Sequence, residues 1–131
     1  MRLLTHNYLQ SNVKGTTKGY PLTIEPREVV VEDSPVDKDL VMKMLSKIEY
    51  AALRKALAEV ADAADPKPAE LPEEAPAGDD GEDVDPSVVE NLHHAMFNIH
   101  VIEGDLVCPD TGRKFPIKQG IPNMILHEDE I

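Results

Sequence analysis

The chain has 131 residues; 41% are hydrophobic, 4% are aromatic and none is tryptophan, so its core is small and mostly aliphatic. That length fits one domain, or a small domain with an insert, and a core of this size gains from a partner's surface because small domains bury a smaller share of their own. The net charge of −12 excludes a general nucleic-acid binder, which needs Lys and Arg to release phosphate counterions, and disfavours docking on an anionic membrane.

Met1 to Tyr8 reads as a short, mostly extended apolar run. It lacks the apolar core of a signal peptide, and no stretch of the chain approaches bilayer-spanning length, so a soluble, intracellular protein is expected. Glu28 to Glu32 contains Val29-Val30-Val31, and β-branched residues favour a strand. Asp37 to Ile48 places Leu40, Val41, Met44, Leu45 and Ile48 on one stripe, and Tyr50 to Ala61 repeats it with Leu53, Ala56, Leu57, Val60 and Ala61. Both spacings predict amphipathic helices, the first starting at Pro35 and Asp37.

From Asp65 to Pro86 the composition changes. Nine acidic residues and one lysine give this stretch −8 of the −12, and it holds five prolines. Proline blocks regular structure and like charges repel, which predicts a disordered acidic loop. Beyond it Pro86 opens a third helix, with Val88, Val89, Leu92, Ala95, Met96 and Ile99 as its stripe. Gly104–Cys108 and Arg113–Lys118 flank Pro109-Asp110-Thr111-Gly112, a hairpin turn in which Gly supplies positive φ. Strands near both ends, with helices inserted between them, predict an α+β fold.

Chemistry-bearing motifs are scarce. His93 and His94 face different sides of a helix, and His100 lies about two turns beyond His93 on the same side; none has the i, i+4 spacing of a helical metal pair. There is no phosphate-binding glycine loop, no HExxH and no GxSxG. The single cysteine, Cys108, excludes an internal disulfide and a zinc site built from several thiolates. A nucleophilic role for it beside His6 or His127 lacks an activating neighbour, and a lone cysteine at a hairpin is ordinarily a small apolar residue. Its Cys-x-x-Thr-Gly turn looks like a zinc knuckle, Cys-x-x-Cys-Gly, that has lost one thiolate. The following Gly120-Ile121-Pro122-Asn123-Met124-Ile125-Leu126 is apolar: either a last strand on the chain's own core or an exposed edge that accepts a partner.

Taken in order, Met1-Arg2-Leu3-Leu4-Thr5-His6-Asn7, His93-His94, Glu103-Gly104, Gly120-Ile121-Pro122-Asn123 and the closing Leu126-His127-Glu128-Asp129-Glu130 resemble the multifunctional methyltransferase subunit family over essentially the whole chain. The resemblance implies a zinc-ribbon-like antiparallel sheet drawn from both termini, residues 1–34 and 101–131, and an inserted lobe of about three helices, residues 35–100, holding the loop of 65–86. Some members bind zinc through four cysteines; the matching positions here are Ser11, Thr16, Cys108 and Thr111, so a metal-free lobe and no cofactor are expected.

The function implied is that of a non-catalytic activator. It would bind several S-adenosylmethionine-dependent methyltransferases as alternative heterodimers, in cytoplasm and nucleus, and would meet RNA only through them. The partner-binding residues expected are Thr5, Asn7, Lys114, Phe115, Pro116, Ile117, Lys118, Gly120, Ile121, Pro122, Asn123, Met124, Ile125 and Leu126. Arg113 to Lys118 would add to the partner's sheet edge through its backbone, with Pro116 marking the limit of the ladder. A ribosome- or RNA-processing adaptor on a degenerate zinc ribbon is the alternative, and the acidic balance disfavours it.

Overall fold

The computed structural model of the chain describes residues 1–74, 85–126 and 128–130. Four strands build one antiparallel sheet: β1 (Thr23–Val31), β2 (Ile99–Val107), β3 (Lys114–Lys118) and β4 (Ile121–Pro122), in that spatial order. The sheet therefore joins residues from before and after the helices, as the α+β reading requires. β1 and β2 are the longest pair, from Thr23 opposite Val107 to Val31 opposite Ile99, with shifts of register around Glu28. Beside that irregularity the β2 backbone runs so close to β1 that a Cβ on Gly104 would stand 2.6 Å from the Glu25 carbonyl oxygen. Only glycine fits such an approach.

The helices are α1 (Leu3–Asn7), α2 (Lys38–Leu45), α3 (Tyr50–Val60) and α4 (Pro86–His93). Asp37 caps α2 by accepting the Leu40 N–H, and Asp85 caps α4 by accepting the Ser87 N–H with Pro86 just inside the start. α3 buries Leu53, Ala56, Leu57 and Val60, the stripe read from its sequence. In α2 the buried set is Val41, Met42 and Leu45, while Leu40 is exposed. The buried face is centred on Val41, Met42 and Leu45, which turns Leu40 toward solvent.

Three expectations are corrected. The N-terminal run is a helix: only Arg2 makes a strand-like bridge, to His100, before the chain turns into α1 and buries Leu3 and His6. The short apolar run meets the core as one helical turn, a choice made by long-range packing. The third helix does not reach Ile99 as α-helix; it widens into a π-helical turn, His94–Asn98, and Ile99 begins β2. His100 consequently lies on a strand, not on a face shared with His93. Of the acidic loop, residues 75–84 lie outside the described residues, but its first part is held: Leu71 is buried and the Tyr50 hydroxyl donates to the Pro72 carbonyl at 2.7 Å.

One hydrophobic cluster collects Leu3, Val41, Leu53, Leu57, Leu92 and Met96 from the helices with Ile24, Val101, Leu106, Phe115 and Ile117 from the sheet. Among the described residues no helix is long and apolar enough to cross a membrane.

Candidate functional site

The strands β3 and β4 are joined by two residues, Gln119 and Gly120, with φ of 52° and 77°. Two positive φ values in a two-residue loop match the right-handed twist of a hairpin; Gly120 adopts its value freely and Gln119 at a cost. The turn is tied back to β2, with the Gly120 N–H on the Ile102 carbonyl at 2.9 Å and the Gln119 N–H on the Glu103 carboxylate at 3.1 Å. Beyond it the Asn123 N–H bonds to the Pro116 carbonyl at 2.9 Å, and the Asn123 side chain accepts the Ile125 N–H at 3.1 Å.

This scaffold presents Ile121 and Ile125 outward, 69% and 77% exposed. With Pro116, Pro122, Asn123 and Met124 they line a shallow depression of about 460 Å³. Two large apolar side chains held this far out on a built surface make it the candidate contact site. Met124 and Leu126 alternate with them and pack partly on the core. Of the other residues read as partner-binding, Lys114, Lys118, Asn123 and Thr5 are exposed, Pro116, Gly120 and Pro122 are half-buried, and Phe115 and Ile117 are buried core residues. Asn7 is also buried: its side chain donates to the Glu49 carbonyl at 2.9 Å and accepts the Glu49 N–H at 3.0 Å, pinning α1 to the start of α3.

β4 covers part of the edge read as available for strand addition. Ile117 pairs with Pro122 and Lys118 with Ile121, so β4 already covers the outer edge of β3 there. No described strand pairs with the outer edge of Lys114 and Phe115, and β4 is the last strand of the sheet on that side.

Ser11, Thr16, Cys108 and Thr111, distant in sequence, come together. The Thr16 hydroxyl lies 3.7 Å from the Cys108 sulfur, and the Thr111 N–H donates to it at 3.5 Å. Burial pushes this thiol up, but hydrogen bonds from Ser11, Thr111 and Asp110 outweigh it and bring it down to about 6. The carboxylate of Asp110 accepts the N–H groups of Thr17 and Lys18, so it ties the loop after Ser11 to the Cys108 turn. Those two donors hold Asp110 below the usual carboxylate range. One thiol and three hydroxyls do not fit a structural zinc, which takes thiolate and imidazole ligands. Nothing in the sequence pattern pointed to the bridging role of Asp110, because its partners are backbone groups of a distant loop.

The histidines are separate. His6 bonds to the Leu22 carbonyl at 2.7 Å, and His93 to the Ser34 hydroxyl at 2.9 Å. Among the described residues no three His, Cys, Asp or Glu side chains are grouped to hold a metal.

Residues 2–120 match the family described as Trm112p-like protein. Multifunctional methyltransferase subunit TRM112 homolog A of Arabidopsis thaliana is 47% identical, covering all of both chains. The TRM112-like protein of Mus musculus is 40% identical over 99% of this chain and 98% of its own. The TRM112 of Schizosaccharomyces pombe is 31% identical over the whole of both. Among solved structures, the E. cuniculi Mtq2–Trm112 complex, described as responsible for methylating the eRF1 translation termination factor, has a chain that superposes with a TM-score of 0.58. It covers 95% of each chain at 21% identity, a likeness of fold. With a sheet drawn from both termini, the displaced knuckle positions brought together and relatives matched from end to end, the chain belongs to the Trm112p-like protein family.

Proposed function

We propose that the chain is a non-catalytic subunit that activates and stabilises S-adenosylmethionine-dependent methyltransferases acting on tRNA, rRNA and a translation release factor. The observation that carries this reading is the outward apolar pair Ile121 and Ile125 beside the open edge of β4. Relatives over the full chain are named methyltransferase subunits, and the structural neighbour is a complex with Mtq2.

The residues divide the work. Ile121, Pro122, Met124, Ile125 and Leu126 cover an apolar patch on the enzyme. The backbone of β4 and 123–126 adds to its sheet edge, flanked by Lys114, Pro116, Lys118, Gly120, Asn123 and Thr5. Phe115, Ile117 and Asn7 hold that surface from inside. The β lobe, 1–34 and 101–131, carries the surface, and the helical lobe, 35–100, backs it. Burying roughly 400 Å² of apolar surface contributes about 10 kcal/mol before association costs. Because only the folded enzyme binds, the remainder stabilises it by mass action. Backbone pairing asks little of the partner's side chains, which suits one subunit serving several enzymes as alternative heterodimers in cytoplasm and nucleus. RNA is met through the enzyme, given the net charge of −12. The knuckle works without metal, its two loops joined by Asp110 and the Cys108 cluster.

The test is the double variant Ile121→Asp/Ile125→Asp, co-expressed with a methyltransferase of its own cell. Both side chains face solvent, so the isolated variant keeps its circular dichroism and melting temperature. Its affinity for the enzyme falls about a hundredfold, the loss expected of central apolar contacts. Undiminished binding would overturn the reading.

A further inference from the structure

The segment from Glu32 to Leu40 links β1 to α2 and stands away from α4, leaving a cleft of about 780 Å³. That volume is in the range of ligand sites, and the apolar surface of Ile121 and Ile125 does not include it. Its unmet needs can be read from the hydrogen bonds. The Ser34 hydroxyl donates to the Asn98 side-chain oxygen at 2.6 Å. The Ser34 hydroxyl oxygen also lies 2.9 Å from His93 Nε2 and, its proton already committed to Asn98, accepts from it. The proton on Nε2 leaves His93 Nδ1 a bare acceptor, buried and without a partner. Such an atom is destabilising when nothing donates to it. The Asn98 amide lies 3.0 Å from His94 Nδ1 across the π-helical turn, which completes the chain. Turns of this kind recur at functional sites.

Around the mouth, Glu32, Asp33, Asp37 and Asp39 outnumber Arg2 and Lys38 by two charges. Asp37 is engaged at the α2 cap. Asp33 and Asp39 form no ion pair among the described residues. Val36 and Leu40, both exposed, and Phe97 supply the apolar wall. The cleft thus offers spare acceptors, an aromatic ring and aliphatic surface.

We propose that it receives an arginine side chain presented by a partner protein. A guanidinium brings five N–H donors for the carboxylates and His93, and a flat face for Phe97; its aliphatic stem lies along Val36 and Leu40. Lysine brings three donors and no plane. Arg2 lines the cleft, and the Met1 ammonium beside it donates to the carbonyl of Gly120, next to Ile121, at 2.8 Å. The proposal extends the reading of the chain as a binding subunit to a second surface.

The test titrates the isotope-labelled full chain with a capped leucine-arginine-leucine peptide, followed by amide NMR, beside the same peptide with citrulline for arginine. Citrulline keeps the shape and loses the charge. The arginine peptide shifts the amides of Ser34, Asp39 and Asn98 saturably, and the citrulline peptide binds at least about tenfold more weakly. In Asp33→Lys/Asp39→Lys, changes at exposed positions, the shifts are lost. Absence of shifts at those amides, equal binding of both peptides, or undiminished shifts in the double variant would each overturn the proposal. No methyltransferase takes part, so failure here leaves the Ile121 surface standing, and the reverse holds too.

Discussion

His6 is 1% exposed, with one ring nitrogen on the Leu22 carbonyl and the other without a partner. Burial holds its pKa below the ordinary 6.5, Lys55 adds to this, and the Leu22 bond opposes it in part. The folded state therefore resists a proton that the unfolded chain accepts. The neutral ring contributes its full stability above 6.5, and that contribution falls as pH drops below 6.5. The melting temperature is expected to fall between about pH 7.5 and about pH 5.5; Cys108, the Met1 amine and His100, whose pKa values are also lowered in the folded chain, add to the slope with the same sign. His6→Gln keeps a donor near Leu22 and does not titrate, so thermal melts of that variant lose the His6 share and show a shallower slope. None of this was legible beforehand: the sequence marks His6 as one polar residue in an apolar run, and only the fold encloses it. The Ser34, His93 and Asn98 network was hidden for the same reason. Its members are far apart in the chain, and no local spacing relates Ser34 to the helix it meets.

Single elements were legible where one face decides them. α3 follows its stripe of Leu53, Ala56, Leu57 and Val60, and α4 starts where Asp85 and Pro86 cap it. α1 was not legible, because five residues carry too little periodicity to tell a helical turn from a strand. The apolar C-terminal run reads as either a core strand or a candidate contact surface, and β4's pairing onto β3 rests on the hairpin at Gln119 and Gly120, where glutamine is not an expected turn residue. The two knuckle loops behave as one element through Asp110, which accepts from Thr17 and Lys18. Asp110→Ala is expected to lower the melting temperature, while a chelator leaves both parent and variant unchanged. A parent chain that unfolds earlier in chelator would show a metal in the knuckle after all.

At the scale of the molecule, the helices and the sheet share one cluster of buried side chains. The sequence suggested two lobes, and the shared core couples them. Leu53 is fully buried on α3, and α3 lies against β1, where the Glu59 carboxylate accepts the Ile24 N–H at 3.1 Å. Leu53→Ala is expected to cost about 2–5 kcal/mol. In denaturant, helix and sheet signals of this variant should shift together to the same lower midpoint, as a single cooperative unit requires. Separate midpoints would show that the sheet unfolds independently. The hairpin that carries Ile121 is fastened before any partner arrives, by Ile102, Glu103 and Pro116. A surface already set in its docked shape has no folding step to wait for. Encounter with an enzyme should therefore proceed at an ordinary rate, about 10⁵–10⁷ M⁻¹s⁻¹. The affinity of the complex is then set mainly by how long it lasts.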